Sequence, residues 1–286
     1  MDSKRSEKIS TLNLLGSLEM QQINISLYVP HVKKISTVLM LHGFTGSHKA
    51  MEELSSLLPY DCVAPDLIGH GRSPCPDELS PYRMKEMVKQ LDSVMGIHLR
   101  KPVDLLGYSM GARLALTYAM SRQEDLNSLI LIGGTAGIAN HEDRQLRSSQ
   151  DSRIAANIEE FGLEQFVHYW ENRPIFSSQK SLPLEKQKRM RRIRLGHRTH
   201  GLANHLRMAG TGAMDSLWHK LGDLKIPVLL IAGERDQKFI EIAEYMKEKI
   251  PNSEIKIIND AGHATHYENP KQTSNVIVQF LQKQGR

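Results

Sequence analysis

The sequence predicts an α/β fold with a mostly parallel, doubly wound sheet and an inserted helical lid. Short apolar runs alternate with segments whose apolar residues recur at helical spacing, as expected for parallel strands joined by helices. Between residues 138 and 218 this alternation stops, and the chain is mainly helical, polar and basic. We therefore assign residues 1–137 and 219–286 to a core, and residues 138–218 to a lid over the carboxyl ends of its strands.

The individual elements follow in chain order. Strands are expected at residues 12–20, 23–29, 36–43, 61–67, 102–108, 126–134, 226–233 and 253–260. Helices are expected at residues 47–58, 80–99, 109–123, 239–250 and 269–284. Several of these strands are continuous apolar runs, which is typical of strands buried on both faces of a sheet.

Composition narrows the class of protein. Hydrophobic residues make up 40% of the chain and charged residues 24%, which is ordinary for a globular protein. The longest apolar runs are too short to span a bilayer, and the polar start "MDSKRSEKIS" shows no secretory signal. Two cysteines, Cys62 and Cys75, do not suffice for a disulfide scaffold. A cytoplasmic location is therefore expected, with no membrane partner.

The net charge of +5 is unevenly distributed. Residues 180–207 contain nine lysines and arginines against Glu185 alone, a local charge of +8 that leaves −3 for the rest of the chain. This run lacks regularly interleaved aromatic residues and lies inside the lid, so nucleic-acid binding is disfavoured. We expect most of its cations to lie on a solvated helix face.

The stretch "GYSMGAR" contains the first candidate catalytic residue. Gly107, Ser109 and Gly111 form a G-x-S-x-G pattern between a buried strand and a helix. In this context the serine occupies a sharp turn that presents its hydroxyl as a nucleophile. The alternative is an ordinary serine N-cap with no catalytic role.

Two later loops supply partners for the serine. Asp236 directly follows one predicted strand, and His263 follows the next. Since parallel strands end at one edge of a sheet, Ser109, Asp236 and His263 are expected to meet there as nucleophile, orienting acid and base. In "LHGFTGS", Phe44 follows a strand end, so its backbone N–H and that of Met110 are expected to form an oxyanion hole.

These motifs resemble the α/β-hydrolase superfamily over nearly the whole chain. The resemblance is carried by "LHGFTGS", "PDLIGHGRS", "GYSMGAR", "GERDQKF" and "AGHATHYENP". Within the superfamily, the chain is similar to the 2-succinyl-6-hydroxy-2,4-cyclohexadiene-1-carboxylate synthases of bacterial menaquinone biosynthesis, through "FVHYWENRPIF", "RMRRIRL" and "GLANHLRMAGTGAMDSLW". One departure is Ala112, where that family usually has a second glycine.

The resemblance implies a lyase rather than a hydrolase. Members of that family remove a ring proton and expel pyruvate from a substrate with three carboxylates, without a metal or organic cofactor. It implies substrate contacts from Arg113, Arg147 and Arg194, with Arg191 as the alternative to Arg194. Tyr108 and Trp170 also match pocket positions, and both could equally be core aromatic residues. The expected partner is this small tricarboxylate, and the expected assembly is a monomer or a small homo-oligomer.

Two other functions remain open at this point. A serine hydrolase, such as an esterase, thioesterase or C–C bond hydrolase, would use the same three catalytic residues. A non-catalytic ligand receptor could be built on the same fold. The sequence also leaves open whether Ser109 acts as a base or as a nucleophile.

Overall fold

An eight-stranded sheet lies at the centre of the protein. The computed structural model describes residues 6–14, 21–29 and 36–286. The strands are β1 (Ser6–Leu14), β2 (Gln21–Val29), β3 (Thr37–Leu41), β4 (Asp61–Pro65), β5 (Val103–Tyr108), β6 (Leu126–Ile132), β7 (Val228–Gly233) and β8 (Ser253–Ile258).

The strand order confirms the predicted topology. The sheet runs β1-β2-β4-β3-β5-β6-β7-β8. Strand β2 is antiparallel to both of its neighbours, β1 and β4, whereas the strands β3 to β8 pair with one another in parallel. The first strand begins earlier than the predicted residues 12–20. It occupies Ser6–Leu14, where it pairs along its full length with β2, and residues 15–20 lie outside the described part of the chain.

Alternate side chains of each central strand enter two separate hydrophobic layers. In β3, Leu39 and Leu41 belong to one layer, whereas Val38 and Met40 belong to the other. Because successive side chains of a strand point to opposite faces, a strand covered on both sides must be apolar throughout. This explains the continuous apolar runs seen in the sequence.

Helices cover both faces of the sheet. The helices of the core are α1 (His48–Leu57), α2 (Met84–His98), α3 (Met110–Arg122), α7 (Gln237–Lys249), α8 (Thr265–Glu268) and α9 (Pro270–Lys283). Buried residues of α2, α3 and α7 pack in the layer that contains Leu39, and those of α1 and α9 pack in the layer that contains Val38. The sheet is therefore doubly wound.

The segment between β6 and β7 is helical, and we refer to it as the lid. It contains α4 (His141–Glu171), α5 (Leu184–Leu195), α6 (Thr199–Ala209) and a 3₁₀ helix at Pro174–Ser181. Helices α4 and α6 share a small core of their own, which includes Ile158, Phe166 and Leu202. The boundaries of the lid at residues 138 and 218 stay a prediction.

Candidate active site

Ser109 occupies a strained turn between β5 and α3. Its backbone has φ 50° and ψ −103°, a positive φ that is uncommon for a residue with a side chain. A Cβ atom at Gly107 would overlap the carbonyl oxygen of Gly111, and one at Gly111 would overlap that of Leu41. Glycine at both positions therefore allows the chain to turn sharply and leaves the serine at the carboxyl end of β5.

The Ser109 side chain contacts an imidazole instead of capping the helix. Although Ser109 is in the N-cap position of α3, it makes no capping hydrogen bond. Its Oγ lies 2.9 Å from Nε2 of His263, and Nδ1 of the same ring lies 2.7 Å from Oδ2 of Asp236. The arrangement suits transfer of the serine proton to an imidazole that the carboxylate orients.

Packing holds the imidazole of His263 in place. Its ring lies between those of Phe239, at a centroid distance of 4.4 Å, and Tyr108, at 5.4 Å. Asp236 lies between β7 and the start of α7, and His263 lies in the loop after β8. Both side chains are buried, so their hydrogen bond is shielded from competing water.

A cavity of about 700 Å³ opens beside these three residues. Its lining includes Phe44 and Met110, the two residues expected to form an oxyanion hole. Met110 is the first residue of α3, where backbone N–H groups have no acceptor within the helix. We call this space the catalytic cavity.

The loop that carries Phe44 is braced by buried side chains. Nε2 of His42 accepts a hydrogen bond of 3.0 Å from the backbone N–H of Leu67. Burial lowers the pKa of His42 to about 4, so the ring is neutral and can accept this bond at neutral pH. Asp66 accepts a bond from the N–H of Arg72 and so holds the neighbouring loop.

Arg113 lies in the wall of the catalytic cavity. It is almost fully buried, and one guanidinium nitrogen donates a 2.6 Å hydrogen bond to the carbonyl of Ala209 in the lid. Burial, together with the positive charge of Arg147, lowers the pKa of Arg113 to about 10. The group remains charged at neutral pH, and its hydrogen bonds to Ala209 and to Sδ of Met214 both come from Nη1, so most of its five donors are left for a ligand.

Arg147 lines the same cavity from helix α4. Its Nε donates a 2.9 Å hydrogen bond to Oδ1 of Asp151, one turn further along the helix. Asp151 is itself buried in the cavity wall, and its other carboxylate oxygen has no hydrogen-bond partner in the described part of the chain. The pairing orients Arg147, while the two terminal nitrogens of its guanidinium remain for other acceptors.

Arg194 and Arg191 lie outside the catalytic cavity. Arg194 is buried and donates to Glu171, at 3.2 Å, and to the side chain of Gln179, at 2.9 Å. Arg191 binds the second oxygen of Glu171 at 2.7 Å. The structure therefore does not bring either candidate arginine together with Ser109, because Glu171 holds both.

The two candidate aromatic residues lie in different places. Trp170 lines the catalytic cavity, where it packs against Phe44 and Phe176, and its Nε1–H has no acceptor among the described residues. Tyr108 lines a separate cavity of about 60 Å³, where its ring is 4.3 Å from that of His266. Burial raises the pKa of the Tyr108 hydroxyl far above its usual range, so this group stays protonated.

The positive charge of residues 180–207 is not explained by binding in the catalytic cavity. Its lysines and arginines do not line the catalytic cavity. Several pair with carboxylates instead: Lys186 with Glu53, Arg189 with Glu52, Lys188 with Glu185, Arg207 with Glu159, and Arg191 and Arg194 with Glu171. Some of these pairs join the lid to helix α1, so the run contributes contacts between lid and core as well as a charged surface.

Four cations that do line the cavity were not singled out in the sequence. They are Arg153, Arg173, Arg235 and Lys238, and all four are exposed. Two of them could have been found from the sequence, since Arg235 and Lys238 flank Asp236 in "GERDQKF". Arg153 lies in the middle of a long helix, where its sequence neighbours do not indicate which face it occupies.

Neither a metal site nor a membrane span is found among the described residues. No group of three or more histidine, cysteine, aspartate or glutamate side chains there is arranged to hold a metal ion. Within the same residues, no helix combines the length and the apolar content that crossing a bilayer requires.

Fold and site together define the class of this protein. A sequence model of the α/β-hydrolase fold matches residues 36–270, and the chain belongs to that family. A solved esterase from Thermogutta terrifontis superposes with a TM-score of 0.80 over 97% of this chain and 99% of its own, with 22% sequence identity. At that identity the likeness concerns the fold alone.

Within that class, the chain is a member of the 2-succinyl-6-hydroxy-2,4-cyclohexadiene-1-carboxylate synthase family. A Bacillus subtilis (strain 168) protein with this name as a provisional assignment is 38% identical over 245 residues, 85% of this chain and 89% of that protein. The Klebsiella pneumoniae synthase is 29% identical over 85% of this chain and 93% of its own. The structure of MenH from S. aureus has a TM-score of 0.86 and 34% identity, covering 92% and 99% of the two chains.

Proposed function

We propose that the protein is a lyase of menaquinone biosynthesis. It eliminates pyruvate from 2-succinyl-5-enolpyruvyl-6-hydroxy-3-cyclohexene-1-carboxylate and forms 2-succinyl-6-hydroxy-2,4-cyclohexadiene-1-carboxylate. The observation that supports this most strongly is the likeness to the synthases over 85% of the chain. The cavity chemistry agrees with it, because a pocket for a neutral ester would be mainly apolar, whereas this one contains the buried cation Arg113.

The reaction needs one base and one site for negative charge. Nε2 of His263 draws the proton from Ser109 Oγ, and Ser109 then removes a proton from the ring carbon of the substrate. The electron pair shifts through the ring and breaks the bond to the enolpyruvyl oxygen. The ring proton stays on Ser109, and the released enolate takes up the proton held by His263 to become pyruvate, which restores both residues. The N–H groups of Phe44 and Met110 stabilise the oxygen on which negative charge develops.

The arginines of the cavity wall bind the substrate. Guanidinium groups match carboxylates geometrically, so Arg113 and Arg147 are the proposed contacts for two of the three carboxylates. A contact from Arg194 requires exchange of its bonds to Glu171 and Gln179 for bonds to the substrate. Trp170 offers its free Nε1–H from the same wall.

The proposal is tested with Ser109→Ala. The substrate is generated in situ by the preceding enzyme, and pyruvate release and diene absorbance are followed together. We expect a loss in kcat of about 10²- to 10⁴-fold, the usual contribution of a general base, with KM nearly unchanged. Ser121→Ala, on the exposed side of the same helix, is the matched control and should retain full activity.

The same assay separates the lyase from a serine hydrolase. Rapid release of both products supports the lyase. Background release of pyruvate, combined with rapid turnover of p-nitrophenyl esters, would instead identify an ordinary esterase with this catalytic triad. Near-native turnover by Ser109→Ala would contradict the role proposed for the serine.

We further propose that the enzyme works in the cytoplasm. Cys75, which is partly buried, is a free thiol. Free thiols are typical of a reducing compartment.

A further inference from the structure

The mouth of the catalytic cavity carries four exposed cations from different parts of the chain. Arg153 lies on α4, Arg173 follows the end of α4, Arg235 follows β7, and Lys238 lies in the first turn of α7. Lid and core therefore each contribute two. We refer to these four residues as the mouth cluster.

Two members of the mouth cluster already have partners. Arg235 forms a 2.7 Å ion pair with Asp260. Arg173 donates a 2.5 Å hydrogen bond to the hydroxyl of Tyr169. In contrast, Arg153 and Lys238 have no ion-pair partner and no side-chain hydrogen bond among residues 36–286.

The carboxylates of the cavity wall do not neutralise these charges. The lining contains six lysines and arginines and two carboxylates, those of Asp151 and Asp236. Asp151 is paired with Arg147, and Asp236 is hydrogen-bonded to His263. Unpaired positive charge therefore faces the cavity.

Helix stability does not explain the two unpaired cations. Lys238 lies in the first turn of α7, where the helix dipole disfavours a positive charge, and Glu241, three residues further along, accepts a hydrogen bond from Gln237 instead of pairing with Lys238. Around Arg153, the positions three and four residues away along α4 are Ser149, Gln150, Ala156 and Asn157, which cannot form ion pairs. A role in ligand binding accounts for both positions.

We propose that Arg153 and Lys238 form a carboxylate-binding subsite at the mouth of the cavity. One comes from the lid and the other from the core, so a bound carboxylate joins the two parts. This inference rests on the proposed function in taking the ligand to be a tricarboxylate. Arg113 and Arg147 serve two carboxylates deeper in the cavity, and with Arg194 held by Glu171 the mouth subsite receives the third.

Binding of propane-1,2,3-tricarboxylate, measured by calorimetry, tests the subsite without requiring turnover. Arg153→Gln and Lys238→Gln should each weaken binding about 3- to 5-fold, as for one exposed ion pair, and the double variant about 10-fold or more. The loss of affinity on raising the salt concentration should be smaller in the double variant, because fewer charges are screened. Acetate, which has one carboxylate, should show little difference among the variants.

The matched control is Lys247→Gln, which removes one exposed lysine from the same helix, α7, away from the cavity. It should bind the tricarboxylate as the unmodified protein does. The melting temperature of Lys238→Gln should be unchanged or raised, whereas a structural role for this lysine would lower it. Equal weakening by Lys247→Gln, or no binding of the tricarboxylate by the unmodified protein, would overturn the subsite.

Lyase kinetics separate this inference from the proposed function. In the variants of Arg153 and Lys238 we expect KM to rise while kcat changes less than about 2-fold, since neither side chain hydrogen-bonds to Ser109, Asp236 or His263. Rapid turnover with an unchanged KM in the double variant refutes the subsite and leaves the lyase intact. Tricarboxylate binding through both cations in a protein without lyase turnover refutes the lyase and leaves the subsite.

Discussion

His263 has both ring nitrogens engaged, Nδ1 with Asp236 and Nε2 with Ser109. An ionised carboxylate can only accept a hydrogen bond, so Nδ1 carries the proton and Nε2 presents its lone pair to the serine hydroxyl. The carboxylate therefore selects the tautomer that can act as a base. This selection makes Asp236 as important as the base itself, although its carboxylate contacts His263 and not Ser109.

Asp236→Asn tests the selection of the tautomer. An amide can donate to Nδ1 and so stabilise the wrong tautomer, which would turn an N–H toward the serine. We expect kcat to fall on the order of 10³- to 10⁴-fold, as in serine proteases with the equivalent change, with KM within about 3-fold. Steady-state kinetics of pyruvate release measure both values.

Asp223→Asn is the control for this substitution, because Asp223 is exposed and lies outside the cavity lining. Full activity is expected there. A loss smaller than about 10-fold in Asp236→Asn would mean that packing by Phe239 and Tyr108 is enough to orient the imidazole.

At the scale of single elements, helix α4 has an unusual bend. Gly162 has φ 78° and ψ 176°, a conformation that only glycine adopts readily, and no atom lies within 4 Å of a Cβ built there. The part of α4 before the bend carries Arg147 and Arg153, and the part after it carries Trp170. The bend therefore directs residues from both halves of the helix toward one cavity.

Gly162→Ala should strain this bend. With open space around the new methyl group, backbone strain is the sole cost, and we expect a loss of about 1–3 kcal/mol in the free energy of unfolding. If the strain is relieved by straightening α4, Trp170 moves away from Phe44 and KM rises. Urea denaturation and lyase kinetics measure the two effects.

Gly96→Ala, in helix α2, is the contrasting substitution. It also has no neighbouring atom within 4 Å of the added Cβ, but its conformation is helical. Alanine should stabilise the protein there by about 0.5–1 kcal/mol through helix propensity. Similar effects at Gly96 and Gly162 would show that the bend in α4 carries no strain.

At the scale of the whole molecule, buried histidines join the lid to the core. The ring of His70, from a core loop, packs against those of His197 and His205, from the lid, and against that of His42 in the core. Nε2 of His197 donates a 2.8 Å hydrogen bond to the carbonyl of Thr45. Burial lowers the pKa of all four histidines, to about 4 for His42 and about 3 for His205.

These pKa values predict sensitivity to acid. Histidines in the unfolded chain titrate near pH 6.5, so below that pH the unfolded state binds protons that the native state does not. The free energy of unfolding therefore falls as the pH drops from about 6.5 toward about 4. For His205 alone this amounts to about 2 kcal/mol at pH 5.

His205→Met removes one of these titrating groups. Neither nitrogen of His205 has a hydrogen-bond partner among the described residues, so methionine should be tolerated at pH 7.5. Between pH 7.5 and pH 5 this variant should lose about 2 kcal/mol less stability than the unmodified protein. Urea denaturation at both pH values measures it, with the exposed His219→Gln as control. If the free energy of unfolding depended on pH identically in His205→Met and His219→Gln, His205 would not be a cause of the sensitivity to acid.

The fold, and the meeting of Ser109, Asp236 and His263 at one edge of its sheet, could be predicted from the sequence alone. Apolar runs of strand length, separated by amphipathic helices, indicate a parallel sheet, and parallel strands necessarily end at one edge. Ser109 directly follows β5, and Asp236 and His263 lie in the loops after β7 and β8, so local order along the chain was enough to place them together. Of the glycines around Ser109, Gly107 acts locally, through its close approach to Gly111, whereas Gly111 makes room for the carbonyl of Leu41 in β3.

The tertiary structure alone decided which cations face the cavity. Arg194 looked like a pocket residue and Arg153 did not, yet Arg153 lines the cavity and Arg194 is held by Glu171. A guanidinium binds whichever carboxylate lies within reach, and that depends on how α5 packs against α4 and α1. Such distances between elements are set by the packing of the lid on the core, which no local pattern in the sequence encodes.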